Sequence, residues 1–214
     1  MLTRQRDSAG VQYSSGQIHR QLRQFASSIQ ITDPKATERR LEFCRELLEQ
    51  GALAVEGHEQ LDLVDVSDSI RHYAASALYM LLMPQSRRQK LSAYFTPPFV
   101  TEHIVNRVVS FGYDPLHDTA LDPACGGAAF LVPLVRRIRE TATACKWKEE
   151  DIRDYVSSAI LGIEIEPGLA SLSRLLIADA LGDRTLSDSR SIRELVIRGN
   201  ALREPASEKK FDLV

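Results

Sequence analysis

The stretch "ALDPACGGAAFL", residues 120–131, decides the fold. It begins with apolar residues, passes an acid and a proline, crosses Gly126 and Gly127, and enters a second apolar run. This order is typical of a buried strand, a tight turn and a helix packed on the strand. Glycines let a ligand lie against bare backbone, and the N-terminus of the helix presents N–H groups and partial positive charge. The stretch therefore predicts a ligand site between a strand and a helix.

Short apolar runs alternate with helical stretches around this turn. Strands are predicted at "TALD" (119–122), "SSAILGIEI" (157–165) and "ELVIRGN" (194–200), and "KKFDLV" (209–214) begins another. The intervening segments have helical spacing. The alternation predicts an α/β fold with a parallel, doubly wound sheet and helices on both faces. Ligands of such sheets bind at the carboxyl ends of the strands.

The residues before the turn differ in the spacing of their apolar residues. Apolar residues recur at helical spacing in "ATERRLEFCRELLEQGAL" (36–53) and "SDSIRHYAASALYMLLM" (67–83), so the region from Ser15 to Leu82 is predicted to be helical. The pattern therefore predicts an α-helical N-terminal domain over residues 1–88 and an α/β domain over residues 89–214.

Composition limits the class of protein. The chain has 214 residues, of which 43% are hydrophobic and 26% charged, as in ordinary globular domains. The net charge of −2 leaves nucleic-acid binding to a local basic face or a partner. No apolar run reaches the roughly 18 residues of a membrane span, and the N-terminus lacks a signal core, so a cytoplasmic location is expected. The three cysteines lack metal-ligand spacing, and no metal site is predicted.

The charge beside the turn distinguishes between ligands. The dinucleotide pattern G-x-G-x-x-G is not matched, because no third glycine follows Gly126 and Gly127. Asp122 stands just before the loop, where it would repel a pyrophosphate by on the order of several kcal/mol if poorly solvated. The same carboxylate attracts the sulfonium and ammonium groups of S-adenosylmethionine. The turn therefore predicts S-adenosylmethionine as cofactor, and a dehydrogenase is the weakest alternative.

Polar residues also stand at the ends of the next two strands. Glu164 and Glu166 close the second strand, where an acid holds the ribose hydroxyls of a nucleoside. Because side chains alternate along a strand, Glu164 and Glu166 point to the same side of the sheet. We expect one of them to face the ligand and the other to face solvent, and the sequence does not decide which. Asn200 follows the third strand, and its amide suits an adenine edge. Each residue alone is more often a turn or surface residue, and the prediction depends on all of them meeting at one edge.

These stretches resemble the cofactor motifs of a known family. "YFTPPFVTEHIV" (94–105), "LDPACGGAAFL" (121–131), "GIEIEP" (162–167) and "IRGNAL" (197–202) resemble motifs in the N-terminal, cofactor-binding part of adenine-specific (N6) DNA methyltransferases. The closest group is the modification subunits of type I restriction systems and related type II enzymes. The resemblance covers roughly residues 90–214. It implies a Rossmann-like methyltransferase sheet, and methyl transfer from S-adenosyl-L-methionine to a flipped adenine in a restriction–modification system.

The resemblance also implies a role for each site residue. Cys125 is a small filler rather than a nucleophile. Ala128 stands where the family usually has its second loop glycine, so its methyl group is expected to narrow the approach of the cofactor. Asn200 replaces a common aspartate. The implied cofactor-binding residues are Thr96 and Pro97 at the methionine, Asp122 at its amino acid end, Ala124 and Gly126 as close backbone, Glu164 at the ribose, and Ile165 and Asn200 at the adenine.

One family motif is missing. The Asn-Pro-Pro-aromatic motif, which grips the target adenine and follows "FDLV" in the family, does not occur in these 214 residues. The expectation is a chain truncated before its catalytic motif, with no catalytic residue of its own. DNA is the implied substrate and a specificity subunit or target-recognition domain the implied partner. Self-association through the open sheet edge is a further possibility. The alternatives are a catalytically silent methyltransferase-like binding or assembly module, and methyl transfer to RNA or to a protein glutamine.

Overall fold

The computed structural model of the chain describes residues 15–29, 31, 36–91, 96–203 and 210–214. The chain divides into two compact units, Met1–Pro97 and Pro98–Val214. The sequence pattern predicts a domain boundary between residues 88 and 89, whereas the two units divide between the adjacent prolines Pro97 and Pro98. The second of these prolines is the first residue of a helix, a position where its fixed φ and missing N–H are tolerated.

The first unit is mostly helical and contains a short antiparallel hairpin inside the region predicted to be helical. A helix ends before Gly51, whose φ of +71° lies in the left-handed region that favours glycine. The carbonyl of Gly51 then accepts a hydrogen bond from the Leu63 N–H at 2.7 Å, which joins the two sides of the hairpin. The elements are α1 (Ser15–Ser28), α2 (Ala36–Gln50), β1 (Ala52–Leu53), β2 (Leu61–Asp62), α3 (Asp68–Leu81) and α4 (Gln85–Leu91).

The second unit is built on a parallel sheet, which confirms the mixed α/β prediction. The strands are β3 (Ala120–Asp122), β4 (Ile160–Glu164) and β5 (Val196–Arg198), hydrogen-bonded in the order β3–β4–β5. Both strand pairs are parallel, with Asp122 opposite Gly162 and Glu164 opposite Arg198. The helices are α5 (Pro98–Ser110), α6 (Leu131–Ala144), α7 (Glu149–Ala159), α8 (Pro167–Ala180) and α9 (Arg190–Leu195), with a 3₁₀ turn at Arg184–Asp188.

The last described segment pairs with the free edge of β3. Leu213 forms a parallel bridge with Ala120, and the Leu121 N–H donates to the Leu213 carbonyl at 2.9 Å. The Asp212 carboxylate accepts from the N–H of Thr119 at 2.8 Å and from its hydroxyl at 2.9 Å. The strand predicted in "KKFDLV" is therefore a single bridge over residues 210–214, and Lys209 lies outside the described residues.

Two helices differ from the sequence prediction. The pattern in "TEHIVNRVVSFG" (101–112) predicts a helix that begins at Thr101 with Ile104 facing inward. In the structure α5 begins at Pro98, and Ile104 is 40% exposed. The sequence predicts a polar insertion, or the tail of the preceding helix, over about residues 141–157. In the structure α6 ends at Ala144, and a separate helix, α7, begins at Glu149 and takes the first residues of the predicted strand "SSAILGIEI". Its first turn carries three acids, which favour the positive end of the helix dipole, and it buries Ile152 and Val156. Local helical stability therefore prevails over the strand pattern there.

Gly162 lets the neighbouring elements approach the middle strand closely. A Cβ atom at Gly162 would lie 2.7 Å from Cδ1 of Leu131 and 3.0 Å from Sγ of Cys125. Leu131 begins α6 and Cys125 belongs to the loop after β3, and both are buried. The absence of a side chain in β4 therefore makes room for the β3–α6 loop.

We expect Gly162→Ala to lower the free energy of unfolding by about 1–3 kcal/mol, the usual cost of overpacking a core. Urea denaturation measures the change. Leu131→Ala serves as the partner in a double-mutant cycle, because it removes the atom nearest to the new methyl group. The double variant should lose less stability than the sum of the single variants; strict additivity would show that the predicted contact does not form.

Candidate functional site

The candidate site is the loop that joins β3 to α6, residues 123–130, at the carboxyl end of β3. Its backbone is bonded to the end of the neighbouring strand. The Cys125 N–H donates to the Ile163 carbonyl at 3.0 Å, and the Gly126 N–H donates to Oε2 of Glu164 at 2.9 Å. Because β3 and β4 are parallel, their carboxyl ends meet here, as the sequence pattern predicted.

The Glu164 carboxylate lies between the two strand-to-helix turns. It is only 7% exposed and accepts one backbone N–H at each oxygen: Gly126 at Oε2 and Glu166 at Oε1, at 2.8 Å. Burial raises the pKa of this carboxyl, while the two N–H donors oppose part of that rise. An ionised carboxylate offers about four acceptor positions, more than these two N–H groups occupy.

Glu166 has a different role. It is 2% exposed, and Oε2 accepts from the Leu169 N–H at 2.7 Å, which caps the N-terminus of α8. The expectation that one of the two acids faces solvent is wrong, because both are buried. The structure assigns Glu166 to helix capping and places Glu164 against the loop. Which of the two acids contacts a ligand stays a prediction, and the position of Glu164 at the loop favours Glu164.

Asp122 lies at the edge of an apolar cavity of about 260 Å³. Its Oδ1 accepts from the Ala124 N–H at 3.1 Å, and burial raises the pKa of its carboxyl. The cavity is also lined by apolar residues of α5 and α6 and by Leu213, and among its lining residues within the described ranges Asp122 alone has an ionisable side chain. A partly buried carboxylate in such apolar surroundings favours a cationic ligand, because a cation offsets the cost of burying the charge.

The ends of β4 and β5 meet at the same edge. The Gly199 N–H donates to the Glu164 carbonyl at 3.0 Å, which places Asn200 next to Ile165 in the adjacent turn. Ile165 is 56% exposed. Oδ1 of Asn200 accepts from the Leu202 N–H at 3.1 Å, the turn role that was its alternative interpretation. Contact of either side chain with a ligand stays a prediction.

The two remaining predicted residues precede α5. Thr96 and Pro97 are partly exposed and belong to the first unit, and Thr96 is the first described residue after the gap at residues 92–95. Tyr94 and Phe95, which begin the motif "YFTPPFV", lie outside the described residues. The position of Thr96 and Pro97 at a methionine pocket therefore stays a prediction.

Cys125 is buried in the loop, in surroundings that disfavour the thiolate. It is 3% exposed, and burial raises the pKa of its thiol to about 12. The thiol is therefore protonated near neutral pH, whereas a nucleophilic cysteine requires the thiolate. This supports its interpretation as a filler. Its neighbour Ser173, a residue of α8 that the sequence patterns did not single out, donates from Oγ to the Gly126 carbonyl at 2.5 Å.

Ala128 adopts a backbone conformation that explains why glycine is usual at its position in the family it resembles. Its φ is +57°, in the left-handed region, which costs a residue with a Cβ roughly 1–2 kcal/mol. The residue is 0% exposed, so its methyl group does not lie on an open surface of the loop. The expected narrowing of the cofactor approach is therefore not what this geometry shows, and the cost of Ala128 is backbone strain.

No group of three or more His, Cys, Asp or Glu side chains in the described part of the chain is arranged to hold a metal ion. None of the described helices combines the length and the apolar character needed to cross a membrane.

Comparison with known proteins gives one match. The family model described as "N-6 DNA Methylase" matches residues 76–214, more than half of the chain. The match begins within α3 and includes the sheet, the β3–α6 loop and the ends of β4 and β5. No curated protein and no solved structure matches the chain.

We expect Asp122→Asn to stabilise the protein at neutral pH relative to wild type. A raised carboxyl pKa means that the folded state binds the proton more readily than the unfolded chain. The stability contributed by this group is full below the unfolded pKa and is lost as pH rises through the folded pKa. The advantage of Asn should therefore be small at pH 4, grow with pH, and level off above the folded pKa. Denaturation between pH 4 and 8 measures it.

Asp62→Asn is the matched control, because exposed Asp62 accepts from the Val64 N–H at 3.1 Å in the same kind of turn. Its effect shows what losing one exposed carboxylate does to stability at each pH. If the effect of Asp122→Asn did not grow with pH beyond that of the control, the inferred cost of burying the Asp122 charge would be contradicted.

Proposed function

The chain belongs to the N-6 DNA methylase family, and from this premise we propose that it is the S-adenosylmethionine-binding region of an adenine-N6 DNA methyltransferase. The observation that carries the proposal is the β3–α6 loop, which is held by the buried Glu164 carboxylate at the end of β4 and follows the Asp122 carboxylate at the end of β3. A nucleoside with a cationic amino acid tail matches two carboxylates at neighbouring strand ends. A dinucleotide would bring a pyrophosphate into the same negative field.

We also propose a Rossmann-like, doubly wound sheet for the second unit. The strands run β3–β4–β5 on one side, and the chain then returns to pair Leu213 with Ala120 on the other edge of β3. The direction of winding therefore reverses at β3. Ligands of doubly wound sheets bind outside the strand ends at such a reversal, and the β3–α6 loop lies there.

In this proposal each site residue has a task set by its position. Asp122 holds the ammonium group of the cofactor at the edge of the apolar cavity. Glu164 accepts the ribose hydroxyls with its remaining lone pairs, while Ile165 packs on the adenine ring and Asn200 contacts the adenine amine. When bound, the cofactor supplies an electrophilic methyl group at its sulfonium.

We propose that the substrate is an adenine base in DNA, flipped out of the helix so that its amine reaches the methyl group. The family description supports DNA as the substrate class. A restriction–modification setting, with a specificity subunit or target-recognition domain as partner, follows from the resemblance of the motifs to type I and type II enzymes. Self-association through the edge beside Leu213 remains part of the same proposal.

We expect calorimetric titration to show binding of S-adenosylmethionine and no binding of NAD. Glu164→Gln should weaken S-adenosylmethionine binding at least tenfold, because the amide NH₂ cannot accept the N–H of Gly126 or of Glu166. A lost hydrogen bond to a charged group costs about 1.5–3 kcal/mol, and about 1.4 kcal/mol is a factor of ten. Glu194→Gln is the control, since Glu194 is an exposed glutamate bound to Arg190.

The opposite ligand preference, NAD bound and S-adenosylmethionine ignored, would refute the proposed function. Incubation with methyl-labelled cofactor and duplex DNA tests the reaction class. Label in adenine would support the proposed reaction class, whereas label in RNA or in protein glutamine would favour those substrates.

The second candidate function, a silent binding or assembly module, takes its support from Ala128. If the methyl group blocked the cofactor, Ala128→Gly would create or greatly strengthen binding. We expect instead that Ala128→Gly changes the affinity for S-adenosylmethionine by less than about threefold, because the methyl group is fully buried. Relief of roughly 1–2 kcal/mol of backbone strain is offset by lost methyl burial and added unfolded-state freedom, so stability should change little.

Calorimetry with the Ala128→Gly variant checks the affinity, and denaturation checks the stability. An affinity gain of tenfold or more, or binding by the variant alone, would show that the wild-type loop is obstructed and would favour the silent module.

A further inference from the structure

We propose that Ser173 is a positioning residue for the cofactor loop: its hydroxyl fixes the peptide between Gly126 and Gly127 in the orientation that accepts S-adenosylmethionine. The inference rests on the proposed function for the identity of the ligand. It goes beyond that function because Ser173 stands in the middle of α8, outside the motifs that carry the family resemblance.

The Ser173 hydroxyl is the meeting point of two loop residues. It is fully buried, and Oγ donates to the Gly126 carbonyl at 2.5 Å. The Cys125 thiol points its sulfur at the same Oγ from 3.9 Å, as a weak donor. Since burial keeps this thiol protonated near neutral pH, the donor is present there. One side chain of α8 therefore holds consecutive residues of the loop.

Gly126 is held from both sides by side chains of the next strand–helix unit. Its N–H donates to Glu164 at the end of β4, and its carbonyl accepts from Ser173 in α8. Its φ of +54° is left-handed, so the chain turns sharply between these two anchors. In a planar trans peptide the carbonyl of Gly126 and the N–H of Gly127 point in opposite directions. Fixing the carbonyl toward α8 therefore directs the Gly127 N–H away from that helix.

The bond to the loop is not the ordinary behaviour of a helical serine. Serine hydroxyls inside helices commonly bond the carbonyl one turn back in the same helix. Ser171, two residues earlier in α8, does so, with Oγ donating to the Pro167 carbonyl at 3.1 Å. Ser173 instead bonds a carbonyl 47 positions away in sequence. The hydroxyl therefore joins the loop to α8, and Ser171 provides a matched control on the same helix.

The test uses three variants of the full chain and calorimetric titration with S-adenosylmethionine, well below the unfolding temperature of each. We expect Ser173→Ala to weaken binding about five- to tenfold and Ser171→Ala to leave it unchanged. Ser173→Thr keeps the hydroxyl but adds a methyl group to a fully buried site, so it should lower the unfolding temperature while retaining the affinity. If affinity followed stability across the three variants rather than the hydroxyl, Ser173 would be merely structural.

A measurement without ligand separates this proposal from the proposed function. The Gly126 amide is protected by its bond to Glu164, and hydrogen exchange at that amide reports local opening of the loop. Exchange should speed up about tenfold in Ser173→Ala and not in Ser171→Ala or Ser173→Thr. Unchanged exchange would overturn the positioning role even if the cofactor binds. Faster exchange in a chain that binds no S-adenosylmethionine would support the positioning of the loop and refute the proposed function.

Discussion

The site depends on one buried carboxylate that accepts two backbone N–H groups. Oε2 of Glu164 takes the N–H of Gly126 from the first turn, and Oε1 takes that of Glu166 from the second. Burying a charge is costly unless it is hydrogen-bonded, and these two bonds offset part of that cost. Because the two N–H groups belong to different turns, the Glu164 carboxylate also holds the two turns together. In the proposed function the same carboxylate contacts the ligand.

The loop has little stability of its own and is supported by the next strand–helix unit. Gly126 and Ala128 both have left-handed φ, and only the glycine adopts it without a steric cost. The supports come from β4 and α8: the Ile163 carbonyl, the Glu164 carboxylate and the Ser173 hydroxyl. Strained backbone persists where its surroundings over-determine it, and such places are commonly binding sites.

The two carboxyls of the site both carry a pKa raised by burial. Ionising either carboxyl therefore costs more free energy in the folded chain than in the unfolded chain. A bound cation would offset that cost, so the folded chain should be stabilised by its proposed cofactor through mass action. A site arranged for stability alone would have neutral groups at these positions.

The amino-acid sequence by itself determined the parallel α/β class, the turn after β3 and the residues at the strand ends, because parallel strands bring their carboxyl ends to one edge. It also determined the family, through motifs at Asp122, Glu164 and Asn200.

Tertiary structure alone decided that Glu164 and not Glu166 holds the loop, since alternation reports the side of a strand and not the partner. Tertiary structure also decided that the Ser173 hydroxyl bonds the Gly126 carbonyl, because the two residues are 47 positions apart in sequence. It also decided the left-handed backbone at Ala128 and the β1–β2 hairpin. Hydrophobic periodicity records which face of a segment is buried, whereas the sign of φ and a distant hydrogen-bond partner depend on how separate segments pack.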